Sequence, residues 1–310
     1  MLKGKILITG GSGFLGRGLL RRIRREGWQC EVTVYSRDGK KQWELRRLYP
    51  EVHCVLGDVR DLNRLTAVAA GHDLIIHAAA LKHIPEAERN VDECIAVNVE
   101  GSRNVALAAV QVGIPQVIGL STDKACSPMN TYGLTKALME RIFAEANRWG
   151  GTQFATVRYG NVVGSTGSVI PLFYQQLDDF GELHVTDKNM TRFWISVEEA
   201  IDLISYAVSK RKGTIIYRCG AMKVIDLAEL IANGKPIKVT GIRPGERLDE
   251  RLLDYSESQH CEQEGDYYLL YPPTGKGNGV HEPWTYLSSA PAHWISKKEM
   301  ATMIEDARGV

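Results

Sequence analysis

The 310-residue chain carries almost no net charge: 38 Lys and Arg stand against 37 Asp and Glu, leaving +1. Such a balance offers no electrostatic footprint for nucleic acid or an anionic membrane, so neither is expected as a partner. Long apolar runs are missing too. Leu74–Ala80 is strongly apolar but far shorter than a bilayer crossing requires. The six cysteines, at 30, 54, 94, 126, 219 and 261, are scattered and form no Cys-x-x-Cys pair. They are expected to be reduced thiols, as in a cytoplasmic protein. No metal-ligand spacing occurs, so no metal is expected. There is no signal-peptide pattern and no internal repeat. The densest basic run, Arg21-Arg22-Ile23-Arg24-Arg25, is expected to be the wet face of a helix.

The first half of the chain alternates short apolar strands with helices. Strands are expected at Lys5–Thr9, Glu31–Ser36, Val52–Leu56, Asp73–Ala78, Gln116–Leu120 and Phe154–Tyr159. Helices are expected at Phe14–Glu26, Lys40–Tyr49, Leu62–Ala70, Asp92–Val112 and Tyr132–Trp149. This order predicts an α/β fold, a Rossmann-like doubly wound parallel sheet with helices on both faces. Ligands bind such sheets at the carboxyl ends of the strands. Residues 1–160 are expected to form the dinucleotide-binding domain. Residues 161–310 turn irregular and are expected to form mainly a smaller C-terminal substrate domain, with segments returning to the sheet. Gly275-Lys-Gly-Asn-Gly279 is expected to be a flexible loop.

Thr9-Gly10-Gly11-Ser12-Gly13-Phe14-Leu15-Gly16 follows the first strand and opens the first helix. Gly10, Gly13 and Gly16, three apart, let backbone approach a pyrophosphate while helix amides face the anion. The cofactor-binding set is expected to include Gly10, Ser12, Gly13, Phe14, Leu15 and Gly16. NAD sites usually end the second strand in an acid that holds the ribose diol. Here that strand ends Tyr35-Ser36-Arg37. Ser36 and Arg37 suit a 2′-phosphate, so NADP is favoured and NAD stays possible; Arg37 would equally suit a plain surface position. Small Ala78 and Ala79 at the end of the fourth strand would admit the nicotinamide side.

Ser121–Lys136 holds the chemistry. Tyr132 and Lys136, at i and i+4, share a helix face. The Lys136 ammonium is expected to lower the Tyr132 phenol pKa, so that Tyr132 takes a proton from an alcohol. Thr122-Asp123-Lys124 lies just upstream. Taken alone, Asp123-Lys124 would suit a solvated turn after the fifth strand.

The chain resembles the extended short-chain dehydrogenase/reductases that act on nucleotide sugars. Within them it is similar to the polysaccharide-biosynthesis branch of UDP-N-acetylglucosamine 4,6-dehydratases, especially the inverting ones. The matching stretches include Tyr35-Ser-Arg-Asp38, Ala80-Leu-Lys-His-Ile-Pro85, Thr122-Asp-Lys-Ala125, Tyr132-Gly-Leu-Thr-Lys136, Arg158-Tyr-Gly-Asn161, Gly167-Ser-Val-Ile-Pro171, Thr191-Arg-Phe193 and Gly241-Ile-Arg-Pro-Gly-Glu246. The resemblance implies that Tyr132 and Lys136 serve oxidation at C4 and contact the cofactor, with Thr122 on the C4 oxygen. It implies that Lys124 is the base at C5 and Asp123 the acid at O6. A basic lysine must be neutral, so its pKa is expected to be depressed, with Lys136 and the nicotinamide as depressors; Asp123 needs the opposite shift. Asp58 and Val59 would hold the adenine. Lys82, His83, Asn161, Ser168, Val169, Arg192, Arg243 and Glu246 would meet the UDP-sugar. Asn98 would lie near the catalytic lysine or make a helix-interior contact. His53, His72, His77 and His184 are expected to pack structurally. The resemblance also implies a homo-oligomer, a dimer or higher, paired through Asp92–Val112 and Tyr132–Trp149. The alternatives are a UDP-sugar 4-epimerase and a non-enzymatic NADP-sensing regulator. The Asp-Lys pair argues against the first, and the retained Tyr132-x-x-x-Lys136 against the second.

Overall fold

The computed structural model describes residues 1–210, 213–243, 245–271 and 282–310. The Gly275–Gly279 run lies outside the described residues. In chain order the elements begin β1 (Gly4–Thr9), α1 (Phe14–Glu26), β2 (Cys30–Ser36), α2 (Gly39–Leu48), β3 (His53–Leu56), α3 (Leu62–Ala69) and β4 (Leu74–His77). They continue α4 (Ile84–Arg89), α5 (Val91–Ile95), α6 (Gly101–Val112), β5 (Gln116–Leu120), α7 (Thr131–Ala146), β6 (Gln153–Arg158) and β7 (Asn161–Val162). Beyond these lie α8 (Val169–Phe180), β8 (Leu183–Val185), β9 (Thr191–Ile195), α9 (Val197–Lys210), β10 (Gly213–Tyr217), β11 (Gly220–Lys223), α10 (Val224–Ala232) and β12 (Ile237–Val239). The chain closes with β13 (Arg251–Leu253), β14 (Cys261–Glu264), β15 (Tyr267–Leu270), β16 (Tyr286–Leu287) and α11 (Lys297–Ala307).

The main sheet runs β14-β15-β10-β6-β5-β4-β1-β2-β3. From β10 to β3 every pairing is parallel; β15 and β14 add an antiparallel edge. The doubly wound parallel sheet expected from the sequence is therefore present. β4 and β5 are buried at every position, as a sheet covered on both faces requires. Successive side chains divide between two apolar cores. Ile6, Ile8, Ile76 and Ile118 enter one, while Leu7, Ile75 and Val117 enter the other.

A third apolar cluster is separate from both, gathering Phe173 of α8, Trp194 of β9, Leu227 of α10 and Met300 of α11. Around it lie the β11-β9-β7 sheet and the β12-β8 pair, with β13-β16 as a further pair. The cavity described below opens between this cluster and the strand ends of the main sheet.

One expected helix differs. Asp92–Val112 is not a single α-helix; a π-helical turn at Ala96–Glu100 separates α5 from α6. That wide turn carries Asn98, whose Nδ2 donates to Leu81 O at 2.9 Å and Thr135 Oγ1 at 3.0 Å, while its Oδ1 accepts from Leu81 N at 2.7 Å. Periodicity cannot show this, because the hydrogen bonds that favour the extra residue come from distant segments. The short helix α4 was also not expected.

Candidate active site

The glycine turn is built by backbone needs. Gly10 has φ +69°, and a Cβ there would lie 2.7 Å from the Ala79 Cα, at the end of β4. A Cβ at Gly16 would collide with the Gly11 carbonyl. Gly13 is the N-cap of α1 and gives the helix no side-chain cap, so the first-turn amides point out from the turn. Phe14 and Leu15, in that first turn, are partly buried against the sheet core. The turn is thus a cradle shaped for an anionic group.

Ser36 is fixed beside this cradle. Its hydroxyl accepts from Ser12 Oγ at 2.9 Å and Gln42 Nε2 at 3.0 Å. Arg37 is half-exposed, with Nη1 3.6 Å from Asp58 and 3.5 Å from Glu93. Arg60 binds the same two acids at 2.6 and 2.9 Å. Burial disfavours charge on Asp58, but Arg60 and Arg37 outweigh it and hold its carboxyl below the ordinary value. Val59 is buried, and its carbonyl accepts from Asn104 Nδ2 at 3.0 Å. The acids beside Arg37 and the partner cation Arg60 were not found from sequence. They lie on separate segments that no spacing connects.

His77 ends β4 fully buried. Its Nδ1 is 2.7 Å from Thr9 Oγ1, and its Nε2 is 3.1 Å from Ser102 Oγ. Burial, and then the charge of Lys136, push its pKa down to about 3. It is a neutral bridge from β1 to α6, with partners that the sequence did not show. Ala78 N donates to Thr9 O at 3.0 Å, which keeps the backbone at Ala78 and Ala79 against the glycine turn.

The proton-handling groups meet beyond the end of β5. Thr122 Oγ1 donates to Asp123 Oδ1 at 2.9 Å, and Lys124 Nζ donates to the same oxygen at 3.0 Å. Lys124 Nζ also lies 3.6 Å from Glu250 Oε1. The other Asp123 oxygen, Oδ2, is buried and has no hydrogen-bond partner among the described residues. Burial raises the Asp123 pKa, as expected. The Lys124 expectation is corrected. Burial does disfavour its charge, but Asp123 and Glu250 outweigh that and raise the ammonium pKa. The missing factor was Glu250, which belongs to a distant irregular segment.

Tyr132 sits in the first turn of α7. That end is capped by Asn130 Oδ1, accepting from Gly133 N at 2.8 Å, and by Glu88 of α4, accepting from Thr131 N at 2.6 Å. Burial pushes the Tyr132 phenol up to about 12, with Lys124 and a hydrogen bond to Thr122 pulling the other way. The expected depression by Lys136 is a second correction. Lys136 Nζ instead points 2.9 Å from Met139 Sδ, and burial pushes its own pKa down to about 8 against the pull of Glu140. A shared helix face did not by itself couple the two groups, because rotamer and burial decided the electrostatics.

A cavity of about 400 Å³ opens beside Lys124. Asn161, Ser168, Val169, Arg192, Arg243 and Glu246 line it, as does Glu250. Ser168 is the N-cap of α8, and its buried hydroxyl has no hydrogen-bond partner among the described residues. Arg192 gives its terminal nitrogens to the carbonyls of Thr191, Arg247 and Leu248, leaving Nε 3.6 Å from Glu250. Arg243 is exposed and pairs with Glu246 at 2.5 Å. Lys82 and His83 stand outside the lining, both exposed, where the chain enters α4.

A family model described as "Polysaccharide biosynthesis protein" matches residues 6–272. The chain is 37% identical over 330 residues to UDP-N-acetylglucosamine 4,6-dehydratase (inverting) of Campylobacter jejuni, covering 99% of each. It is 37% identical over 279 residues to UDP-glucose 4-epimerase of Rickettsia massiliae, covering 86% of this chain and 82% of that one. The X-ray structure of Pen from Bacillus thuringiensis superimposes with a TM-score of 0.90 at 30% identity, covering 99% of this chain and 98% of that one.

Proposed function

The chain belongs to the polysaccharide biosynthesis protein family, and from that premise we propose that it is an enzyme, an inverting UDP-N-acetylglucosamine 4,6-dehydratase. The observation that carries this reading is the buried Thr122-Asp123-Lys124 cluster, with its unpartnered Asp123 oxygen, beside Tyr132. An epimerase needs a base at C4. A dehydratase needs in addition a base at C5 and an acid at O6, and this cluster offers both.

The cradle of Gly10, Ser12, Gly13, Phe14, Leu15 and Gly16 fits a dinucleotide pyrophosphate, since its tight backbone turn leaves no room for a Cβ at Gly10 or Gly16 and no side chain caps the first-turn amides of α1. Asp58, Val59, Ala78 and Ala79 would hold the adenine and nicotinamide ends, and Tyr132 and Lys136 would contact the nicotinamide ribose. A nicotinamide held there would supply the hydride acceptor for C4 and the hydride that C6 needs. NADP is the favoured form because Ser36, Arg37 and Arg60 supply donors where a 2′-phosphate would lie. The chain divides at residue 160 into a cofactor unit and a sugar unit, with β10, β14 and β15 returning to the first.

Tyr132 acts as its phenolate: the phenol, held near 12 by burial, gives its own proton to solvent and then takes the C4 hydroxyl proton while Thr122 holds that oxygen. The resting dyad shares one proton, held on Lys124. Its transfer to Asp123 creates an amine base and a carboxylic acid together. Lys124 then takes the C5 proton, Asp123 Oδ2 protonates O6, and water leaves. The dyad returns to its starting protonation. The proton that Tyr132 gave to solvent is matched by one from solvent that reaches C5 from the opposite face as C6 is reduced, which gives the inverted 4-keto-6-deoxy sugar. Ser168 and Val169 at the α8 N-terminus, with Arg192 and Arg243, face the diphosphate. Asn161 and Glu246 border the sugar and the uridine ribose, whereas Lys82 and His83 stand outside that lining at the entry to α4.

The protein acts as a homo-oligomer. Val91 and Ile95 on α5 and Leu134 and Leu138 on α7 are each 41–52% exposed, an apolar stripe suited to a second copy. The deciding experiment incubates the protein with UDP-N-acetylglucosamine in deuterium oxide. Loss of one water with deuterium at C5 is expected. Recovery of only a C4 epimer would replace this reading with the epimerase.

A further inference from the structure

Glu250 has no assigned part in the chemistry above, yet it is almost fully buried against the dyad. Its Oε1 lies 3.6 Å from Lys124 Nζ and 3.6 Å from Arg192 Nε. Its backbone is tied down as well: Glu250 N donates to Ser288 Oγ at 2.8 Å, and its carbonyl accepts from Ser288 N at 3.0 Å. A buried carboxylate held this firmly is costly unless it is used or paired.

We propose that Glu250 is the positioning residue of Lys124: it aims the lysine nitrogen into the cavity and stabilises the ammonium that forms as the C5 proton arrives. The inference rests on the dehydratase reading. The groups facing Glu250 are Lys124 and Asp123 beyond β5, Arg192 on β9 and Arg247 just upstream; Tyr132 on α7 faces the same lysine. Burial disfavours charge on Glu250, but these cations outweigh it and keep it a carboxylate. Arg192 is suited to this supporting part because backbone carbonyls hold its other nitrogens. No proton passes to Glu250. The proton from Lys124 goes to Asp123 and on to O6, and the C5 proton arrives on Lys124. Glu250 stays ionised throughout, so the balance of the elimination is unchanged. Its charge makes the lysine a stronger base, as an orienting carboxylate does for a catalytic histidine.

The test compares wild-type protein with Glu250→Gln, which keeps the shape and removes the charge, and with Glu250→Asp. Water loss from UDP-N-acetylglucosamine and deuterium entry at C5 should slow about a hundredfold in Glu250→Gln. The absorbance of reduced nicotinamide, which reports C4 oxidation, should still appear at the wild-type rate and should now accumulate. Removing a negative neighbour lowers the Lys124 ammonium pKa, so the alkaline limb of the elimination profile should move to lower pH. Glu250→Asp should restore part of the rate and of the limb. Elimination within twofold of wild type, or an unmoved alkaline limb, would overturn the proposal. Equal loss of C4 oxidation would also overturn it, since a general structural defect would then suffice. A wild-type protein that releases no water would instead refute the dehydratase reading beneath it.

Discussion

The glycine cradle and the lysine pocket solve opposite problems. The cradle is local. Eight consecutive residues, Thr9 to Gly16, supply its turn, and its shape follows from what a Cβ would strike. The pocket is assembled from far apart: Asp123 and Lys124 beyond β5, Arg192 on β9 and Glu250 just before β13. Backbone geometry controls the first, and desolvated charge the second. A cradle built of backbone tolerates little change in size, whereas a pocket built of charges tolerates little change in sign.

The sharpest way to break this contrast is Lys124→Met. It should lower water elimination by about two to four orders of magnitude, measured by mass and by C5 deuterium entry. Cofactor affinity, measured by fluorescence titration, should stay at its wild-type value. Loss of both together would show that the two regions are not separable. Gly10→Ala tests the other side. A Cβ in a left-handed conformation against the Ala79 backbone should cost about 1–3 kcal/mol in denaturant unfolding and weaken cofactor binding. Unchanged stability would mean that β1 and β4 can part at little cost.

The smallest effect at neutral pH should come from His77, the neutral bridge behind the cradle. Its folded pKa of about 3 lies below the ordinary 6.5. The unfolded chain therefore binds a proton between those values that the folded chain does not, and stability falls as pH drops through that window. The slope should be at most about 1.4 kcal/mol per pH unit. His77→Gln should flatten the stability profile below pH 6.5, read by chemical denaturation at several pH values. A parallel profile would place the acid sensitivity elsewhere.

Much of the fold was legible because parallel strands announce themselves. Residues 74–76 and 117–120 are apolar throughout, and each strand follows a turn, Gly71-His72-Asp73 and Gly113-Ile114-Pro115. The glycine turn was legible for the same reason, as a local constraint written in consecutive residues. The π turn at Ala96–Glu100 was not, since Asn98 draws its partners from Leu81 and Thr135. Helix spacing placed Tyr132 and Lys136 on one face but could not foresee that Met139 would take the lysine nitrogen. The Thr122-Asp123-Lys124 run was found, yet its charge state was misjudged. That state depends on Glu250, which stands in a stretch with no periodic pattern.

The amino-acid order alone settled the sheet, the glycine turn and the residue types available for proton transfer, because each depends on neighbours along the chain. Folding settled which ionisable groups share a dry space, and hence which of them hold protons. Charge interactions in a low-dielectric interior depend on distance through space, and that distance exists only once the chain has closed on itself.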